Sequence, residues 1–442
     1  MRLSGFFFGR LQIAWLLSLI SHCRHVQASE SIALRWRILV SHFHVTPGKR
    51  IGHFMTIRIN SSFDSGNIEV VDATECSSIG LRIRKDTNSD FLQWFYFSVA
   101  GVKGKTCRIN LLNASETSYP KGWEGYDVVT SSDRQFWYRT PAEYDGRQLS
   151  WTFEAQSDLV WFAYFAPYSM DRHLDFIAAA ASSEAVQYES LGVTHQGRSI
   201  DYLKVSALQS EAANEPHNSK RKQLWVIARQ HPGESMAEWW MEGWIDRLLD
   251  QDDARSRELR SLADIHIVPN MNPDGTFLGN LRTNALGVNL NREWQDPSID
   301  KSPEVFHVRR RMEQTGIDLA LDVHGDEGLP YNFIAGTEGL AQWSDERDAE
   351  LCAFKHEWAA INPDFQFAHG YPKSARGQAN LAICSSNLAD SFGCLAMTLE
   401  MPFKDTLDTP RPYTGWSPER SMRLGASFVD MAHQALSDRL IR

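Results

Sequence analysis

The sequence lacks the features of a disulfide-stabilised, membrane-spanning or nucleic-acid-binding protein. Its six cysteines form no Cys-x-x-Cys pair in 442 residues, which favours reduced, mostly buried thiols. The apolar run at residues 11–20 is too short for a bilayer, and no other stretch approaches a transmembrane span. The formal net charge of -10 argues against broad nucleic-acid binding. There is no internal repeat or low-complexity tract. At 442 residues the chain can bury a large core and is expected to hold two domains.

The first 54 residues differ in composition from the rest. They hold seven Lys/Arg and one acid, Glu30, and their apolar run precedes a Val-Gln-Ala stretch at residues 26–28 that resembles a signal-peptidase site. Either residues 1–28 are a signal peptide of a secreted or periplasmic protein, or residues 1–54 are an atypical extension upstream of Met55. The cysteine usage fits a reducing compartment, so we favour the extension and a cytoplasmic location.

The remainder divides into two domains by its hydrophobic pattern. Residues 55–167 predict an all-β sandwich, with strands at 68–71, 81–84, 91–99, 107–112, 135–138, 149–155 and 159–165. Residues 168–442 predict an α/β domain, in which a mixed sheet is flanked by helices. Its predicted strands are 224–228, 265–268, 318–323 and 394–400, after a hairpin at 188–206, and its helices are 169–182, 234–250, 302–314 and 418–440.

His231 and Glu234 stand at a sharp turn between strand 224–228 and the following helix. Open α/β sheets bind ligands at the carboxyl ends of their strands. Pro232 and Gly233 tighten the turn, so that both side chains can point at one spot. The pair is half of a His2Glu zinc site. Taken alone, it is better explained by a loop histidine and a helix-start glutamate favoured by the helix dipole.

Two further strands end in residues that complete such a site. His324 follows strand 318–323 and supplies a third ligand about 90 residues later, the usual layout of a catalytic zinc site with one position left for water. Asp322 either orients His324 or simply lies at the edge of the sheet. Glu400 ends strand 394–400, where an unused carboxylate would be costly. It predicts a general base that takes a proton from zinc-bound water and passes it to the leaving amine.

Two arginines lie in the loop after strand 265–268. Arg282 can stabilise the oxyanion of a tetrahedral intermediate. Arg292, beside Asn291, can hold a carboxylate in the bidentate fashion of arginine. Surface salt bridges are the alternative explanation for each arginine.

Together these motifs resemble the zinc carboxypeptidase family. They are His231-Pro-Gly-Glu234, Asn272-Pro-Asp-Gly275, Asn291-Arg292, Asp322-Val-His324 and Glu400. The cytosolic carboxypeptidase subfamily is the most similar, through HPGES at 231–235, GNLR at 279–282 and the preceding β-domain, with WYRT at 137–140 and FAYFAPY at 162–168. The family's mobile tyrosine, about 22 residues before the catalytic glutamate, has no match at Gln378, and the nearest tyrosine is Tyr371.

The resemblance implies a role for each matching residue. One Zn2+ per chain would be held by His231, Glu234 and His324, with Glu400 as base and proton shuttle. Arg282 would polarise the scissile carbonyl, while Asn291 and Arg292 would anchor the substrate's C-terminal carboxylate.

The substrates implied by the subfamily are peptide or protein C-termini, including C-terminal or side-chain glutamates. Candidates for a basic pocket are Lys373, Arg376 and Lys404. Neither nucleic acid nor a stable membrane span is expected, and the oligomeric state stays open.

Two other functions compete with a carboxypeptidase. A zinc deacylase of N-acyl amino acids shares the His-x-x-Glu, Asn-Arg and distal His layout, but a β-domain placed before the zinc motif favours the peptidase. A metal-binding interaction module without turnover is disfavoured, because the ligands, the base and both arginines are all present.

Overall fold

The computed structural model describes residues 57–208 and 221–439, so the predictions made for residues 1–54 and the start at Met55 lie outside it. Residues 57–163 form two five-stranded sheets. One has the order β1-β4-β10-β6-β7 and the other β2-β3-β5-β9-β8. The strands are β1 (Arg58–Asn60), β2 (Glu69–Asp72), β3 (Ile79–Arg82), β4 (Tyr96–Ala100), β5 (Thr106–Leu111), β6 (Val128–Ser131), β7 (Tyr138–Thr140), β8 (Ala142–Tyr144), β9 (Leu149–Glu154) and β10 (Leu159–Ala163).

The two sheets pack face to face through buried aromatic rings. Phe162 of β10 lies 4.8 Å from Phe153 and 5.6 Å from Trp151, both of β9, between ring centroids. Phe97 of β4 also contacts Trp151. Side chains from β4, β9 and β10 therefore fill one interior between the sheets, as in a β-sandwich. Two short 3-10 turns, Ala114–Glu116 and Pro120–Trp123, lie between β5 and β6.

A seven-stranded mixed sheet follows, in the order β11-β12-β14-β13-β15-β17-β16. The four strands β14, β13, β15 and β17 are parallel, and the others are antiparallel to their neighbours. Its strands are β11 (Val186–Val193), β12 (Ser199–Val205), β13 (Lys222–Ala228), β14 (Ala263–Val268), β15 (Leu319–Asp326), β16 (Phe333–Ala335) and β17 (Leu395–Pro402). The central strands are almost entirely buried, which explains their continuous apolar sequences.

Eight α-helices surround this sheet in the described residues. They are α1 (Met170–Ala181), α2 (Met236–Leu248), α3 (Ala254–Leu262), α4 (Pro273–Leu278), α5 (Pro303–Thr315), α6 (Asp345–Ile361), α7 (Cys384–Phe392) and α8 (Pro418–Gln434). A 3-10 turn at Leu290–Arg292 and a π-helical turn at Ala435–Arg439 complete the elements. No helix among residues 57–208 and 221–439 is long and apolar enough to cross a bilayer.

Two glycines set the close approach of helices α2 and α8. A Cβ atom on Gly425 would lie 2.0 Å from the Trp240 carbonyl oxygen, and one on Gly243 would lie 2.2 Å from the Met422 carbonyl oxygen. Only glycine permits this backbone contact. The pairing buries Trp240, Trp244 and Phe428 beneath the sheet.

The predicted fold class, an α/β domain preceded by a β-sandwich, is confirmed. Residues 135–137 were predicted as part of a strand, and this is wrong. The Asp133 carboxylate accepts the backbone N–H groups of Gln135 and Phe136, both at 2.8 Å, so that the segment turns, and β7 begins only at Tyr138.

Candidate functional site

Three parallel strands end at the same edge of the mixed sheet and bring the predicted site residues together. The chain leaves β13 at Ala228 and turns through Arg229 to His231. On β15, His324 lies directly beside Glu400 of β17 in the strand register. Because parallel strands share one carboxyl edge, residues far apart in sequence meet there.

His231, Glu234 and His324 converge on a single point. The Nδ1 atoms of the two histidines are 3.1 Å apart, and the Glu234 carboxylate reaches both, at 2.7 Å from His231 and 2.8 Å from His324. All three side chains are buried. They are the one group of three or more potential metal ligands found among the described residues. Two imidazole nitrogens and a carboxylate oxygen are the donor set that zinc favours in catalytic sites.

The outer nitrogen of each imidazole is held by a hydrogen-bond acceptor. Nε2 of His324 lies 2.9 Å from the Asp322 carboxylate, and Nε2 of His231 lies 3.1 Å from the Asn289 side-chain oxygen. A proton on each Nε2 would leave both Nδ1 lone pairs to face the common point, as metal binding requires. Burial lowers the pKa of His231 to about 3, and Arg282 reinforces this effect. The His231 ring is therefore neutral.

A chain of hydrogen bonds fixes Asp322 in turn. The Trp294 indole N–H donates to the Gln230 side-chain oxygen at 2.8 Å, and the Gln230 amide donates to Asp322 at 2.6 Å. Asp322 is therefore held in contact with His324, as expected of a residue that orients the imidazole.

A buried cluster of charged side chains stabilises the turn that carries His231. Arg229 has a left-handed backbone, with φ of 59°, and donates to the Pro232 carbonyl at 3.0 Å and to Glu238 at 2.6 Å. Glu238 also contacts His173, whose other nitrogen lies 2.9 Å from Asp201. Burial disfavours a charged imidazole, yet Glu238 and Asp201 together raise the pKa of His173 to about 9. The charged His173 ring therefore helps to hold Glu238, which in turn binds Arg229 in the turn.

Glu400 is buried beside the three converging side chains. Its Oε2 atom has no hydrogen-bond partner among the described residues, so the carboxylate has capacity for a proton or a water molecule. Burial raises the pKa of Glu400 well above its usual value, and the nearby Glu234 and Asp326 carboxylates add to that effect while His324 opposes it. Such a carboxyl suits proton transfer near neutral pH.

Arg282 and Arg292 line the same cavity, of about 1020 Å³, without an ion-pair partner in the described part of the chain. Arg282 lies near the rings of Phe91 and Tyr119, and its Nε atom has no partner. Burial and the charge of Arg282 lower the pKa of Arg292. Surface salt bridges therefore do not explain these arginines. Two unpaired guanidinium groups in one cavity favour an anionic ligand.

Asn291 is less free than the arginines. Its side-chain oxygen accepts the Cys384 N–H at 2.8 Å, and its amide nitrogen lies 3.4 Å from Nε2 of His324.

Tyr371 also lines the cavity, although the family's spacing matched no tyrosine in the sequence. Its hydroxyl donates to Asp326 at 2.5 Å. Burial, followed by the Glu400 and Asp326 charges, raises the pKa of Tyr371. The spacing to Glu400 differs from the spacing sought in the sequence, so spacing alone could not identify this residue.

Of the three candidate basic-pocket residues, Lys373 alone lines the cavity. Its ammonium group lies 3.6 Å from Glu338, and Lys355 lines the same region. Arg376 donates to the Ala341 carbonyl, and Lys404 donates to the Glu124 carbonyl, outside the cavity lining.

Two parts of the chain match known sequence families. Residues 59–165 match the cytosolic carboxypeptidase N-terminal domain, and residues 171–333 match zinc carboxypeptidase. An uncharacterized protein of Zymomonas mobilis is 47% identical over 371 residues, which are 84% of this chain and 94% of that protein. Cytosolic carboxypeptidase 6 of Caenorhabditis elegans is 29% identical over 371 residues, 78% of each chain.

Solved structures show the same architecture. A metallo-carboxypeptidase from Burkholderia cenocepacia has a TM-score of 0.83 at 41% identity, covering 86% of this chain and 99% of that one. A metallo-carboxypeptidase from Pseudomonas aeruginosa, solved in complex with (2-guanidinoethylmercapto)succinic acid, has a TM-score of 0.81 at 44% identity, covering 87% of this chain and 100% of that one.

The fold and these relatives define a peptidase of the metallocarboxypeptidase class. The chain belongs to the zinc carboxypeptidase family and carries the N-terminal domain of the cytosolic carboxypeptidases. The predicted family and enzyme class are therefore confirmed. The roles of the individual site residues and the domain boundaries stay predictions.

Proposed function

We propose that the chain removes C-terminal residues from peptides or proteins by zinc-dependent hydrolysis, with one Zn2+ held by His231, Glu234 and His324. One observation carries this proposal. The three donor groups meet at a cavity that also holds the unpaired carboxylate of Glu400 and two guanidinium groups without carboxylate partners. A bound zinc ion would lower the pKa of a water molecule to roughly 7 and polarise the scissile carbonyl.

Glu400 acts as the base in this proposal. It accepts a proton from the attacking water and delivers that proton to the leaving nitrogen. Its position beside His324 in the strand register and its free Oε2 atom support the role. The low polarity that raises its pKa favours a carboxyl group that takes up and releases a proton at neutral pH.

In this proposal the two arginines bind different negative charges of the substrate. Arg282 stabilises the oxyanion that develops on the scissile carbonyl. Arg292 binds the substrate's C-terminal carboxylate, assisted by the adjacent Asn291. The Asn291 side chain already accepts a backbone N–H and approaches His324. Its main contribution is therefore to fix the part of the cavity surface against which the carboxylate binds.

An acidic substrate preference is part of the proposal, including side-chain glutamyl bonds. Lys355 and Lys373 in the cavity lining support it, although Glu338 lies near both. The names of the cytosolic carboxypeptidase relatives and the cysteine usage favour a cytoplasmic location.

A substrate panel tests the proposal. One peptide series ends in Glu, Leu or Lys, or in an amide, and a second series consists of N-acyl amino acids. The purified full-length chain, assayed with and without a zinc chelator, is expected to release the C-terminal residue with preference for Glu. The C-terminal amide should be spared, and the chelator should abolish release. Cleavage confined to the N-acyl amino acids would identify a deacylase and contradict the carboxypeptidase proposal.

A further inference from the structure

A carboxylate of the β-sandwich holds the backbone that carries Arg282. Asp86 follows strand β3 and is 4% exposed. It accepts the backbone N–H groups of Leu281 at 2.5 Å, Arg282 at 2.8 Å and Thr283 at 3.0 Å. The Thr283 hydroxyl adds a fourth hydrogen bond at 3.1 Å. Three successive backbone N–H groups therefore point at one side chain, which is almost 200 residues distant in sequence.

This carboxylate has no ion-pair partner within the described residues, so hydrogen bonds from the loop are what stabilise its charge. Burial raises the pKa of Asp86 to about 6, while the Leu281, Arg282 and Thr283 hydrogen bonds act in the opposite direction. A buried carboxylate without a cation is costly to the fold. In return, one side chain holds three consecutive N–H groups of the loop in a single orientation.

Neighbouring residues extend the same contact. The Thr87 N–H donates to the Asn280 side-chain oxygen at 3.0 Å, and the Asn88 side chain donates to the Ala285 carbonyl at 2.9 Å. The β-sandwich thus holds the loop on both sides of Arg282.

The Arg282 side chain is also bordered by the β-sandwich. Its guanidinium carbon lies 5.5 Å from the centre of the Phe91 ring and 5.8 Å from that of Tyr119, within cation–π distance. Because no carboxylate of the described residues pairs with Arg282, its direction depends on the backbone that Asp86 fixes and on these two rings.

We propose that Asp86 is a positioning residue for Arg282, so that the β-sandwich domain forms a working part of the active site. This inference rests on the proposed function, in which Arg282 stabilises the oxyanion. Loss of the Asp86 carboxylate leaves the loop N–H groups without a full set of acceptors. The guanidinium then moves relative to the reacting carbonyl, and turnover falls while substrate binding through Arg292 persists.

The test compares Asp86→Asn with Asp90→Asn. Asp90 is the matched control, since it lies in the same segment but is exposed and, among the described residues, pairs only with Lys85. A misplacement of about 1 Å costs about 100-fold in rate. We therefore expect Asp86→Asn to lower kcat by about 10- to 100-fold with little change in KM. Asp90→Asn should behave as the wild type, and both variants should bind zinc normally.

A double-mutant cycle separates positioning from general destabilisation. If Asp86 acts through Arg282, adding Asp86→Asn to Arg282→Lys lowers kcat much less than it does in the wild type. Equal effects in both backgrounds, or a kcat unchanged by Asp86→Asn, would overturn the inference. Should Asp86→Asn fail to fold, Thr283→Val removes only the hydroxyl donor and is expected to lower kcat a few-fold, and an unchanged kcat there overturns it equally.

Hydrogen exchange provides a readout that does not depend on catalysis. Asp86→Asn should accelerate amide exchange at residues 281–283, whereas Asp90→Asn should not. If the amides of residues 281–283 exchange as slowly in Asp86→Asn as in the wild type, the inference is contradicted even if activity falls. An inactive wild type would contradict the proposed function alone, because the exchange measurement still decides whether Asp86 holds the loop.

Discussion

Removing the negative charge of Asp322 should weaken zinc binding without altering the fold. Its carboxylate lies 2.9 Å from Nε2 of His324 and receives the Gln230 amide at 2.6 Å. In Asp322→Asn a neutral amide faces Nε2, which makes the imidazole a poorer donor at Nδ1. Replacement of such outer partners typically costs about 10- to 100-fold in metal affinity, or about 1.4 to 2.7 kcal/mol.

Competition against a chromophoric zinc chelator at neutral pH measures this loss directly. Asp318→Asn is the control, because Asp318 immediately precedes the same strand and its side chain accepts only the Gln223 N–H among the described contacts. It should bind zinc as the wild type does. Wild-type affinity in Asp322→Asn, or an equal loss in Asp318→Asn, would refute the assignment of Asp322 as the group that orients His324.

Three further changes probe other parts of the structure. Burial lowers the pKa of His173, but its carboxylate partners outweigh burial and raise it from 6.5 to about 9. The charged imidazole therefore contributes up to about 3 kcal/mol to the free energy of unfolding below pH 6.5, and this contribution is lost as the pH rises through 9. The melting temperature of the wild type should fall between pH 7 and pH 10, and it should fall less in His173→Gln. Gly425→Ala should destabilise the fold by about 1–3 kcal/mol in denaturant titrations, because the new Cβ would lie 2.0 Å from the Trp240 carbonyl oxygen, whereas Arg423→Ala, on the exposed side of the helix, should be nearly neutral. Arg292→Ala should lower kcat/KM for free C-termini by about 10- to 150-fold, mainly through KM, and remove discrimination against C-terminal amides; undiminished discrimination would contradict the anchor role.

The sheet and the positions of the candidate metal ligands could be predicted from sequence because both follow local rules. Buried parallel strands have continuous apolar runs, and His231, His324 and Glu400 each follow or end such a run. The carboxyl edge of a parallel sheet then brings them together without further information.

The supporting contacts could not be predicted in the same way. Asp86 and Arg282 meet across two domains, and no periodicity in either segment signals that pairing. Asn289 lies in the NLNR stretch that carries Asn291 and Arg292, but its contact with His231 depends on the path of a loop. Tyr371 departs from the expected spacing, and only the fold shows its approach to Asp326.

Some secondary structure was also missed for a physical reason. Helix α6, Asp345–Ile361, had no counterpart among the predicted elements. It buries Leu351, Phe354 and Trp358, but polar and apolar residues alternate around the rest of its surface, so its sequence has a weak helical period. The β6 strand, Val128–Ser131, was missed too, because four residues are too few to establish alternation.

The central claim is that His231, Glu234 and His324 hold one zinc ion for a reaction in which Glu400 moves the proton. Glu400→Gln tests it most directly, because this change keeps the shape of the side chain and removes its basicity. Zinc content by native mass spectrometry should stay at one ion per chain, while release of the C-terminal residue falls by about 100- to 10,000-fold. A chain that binds no zinc, or a Glu400→Gln variant that turns over at the wild-type rate, would contradict the claim.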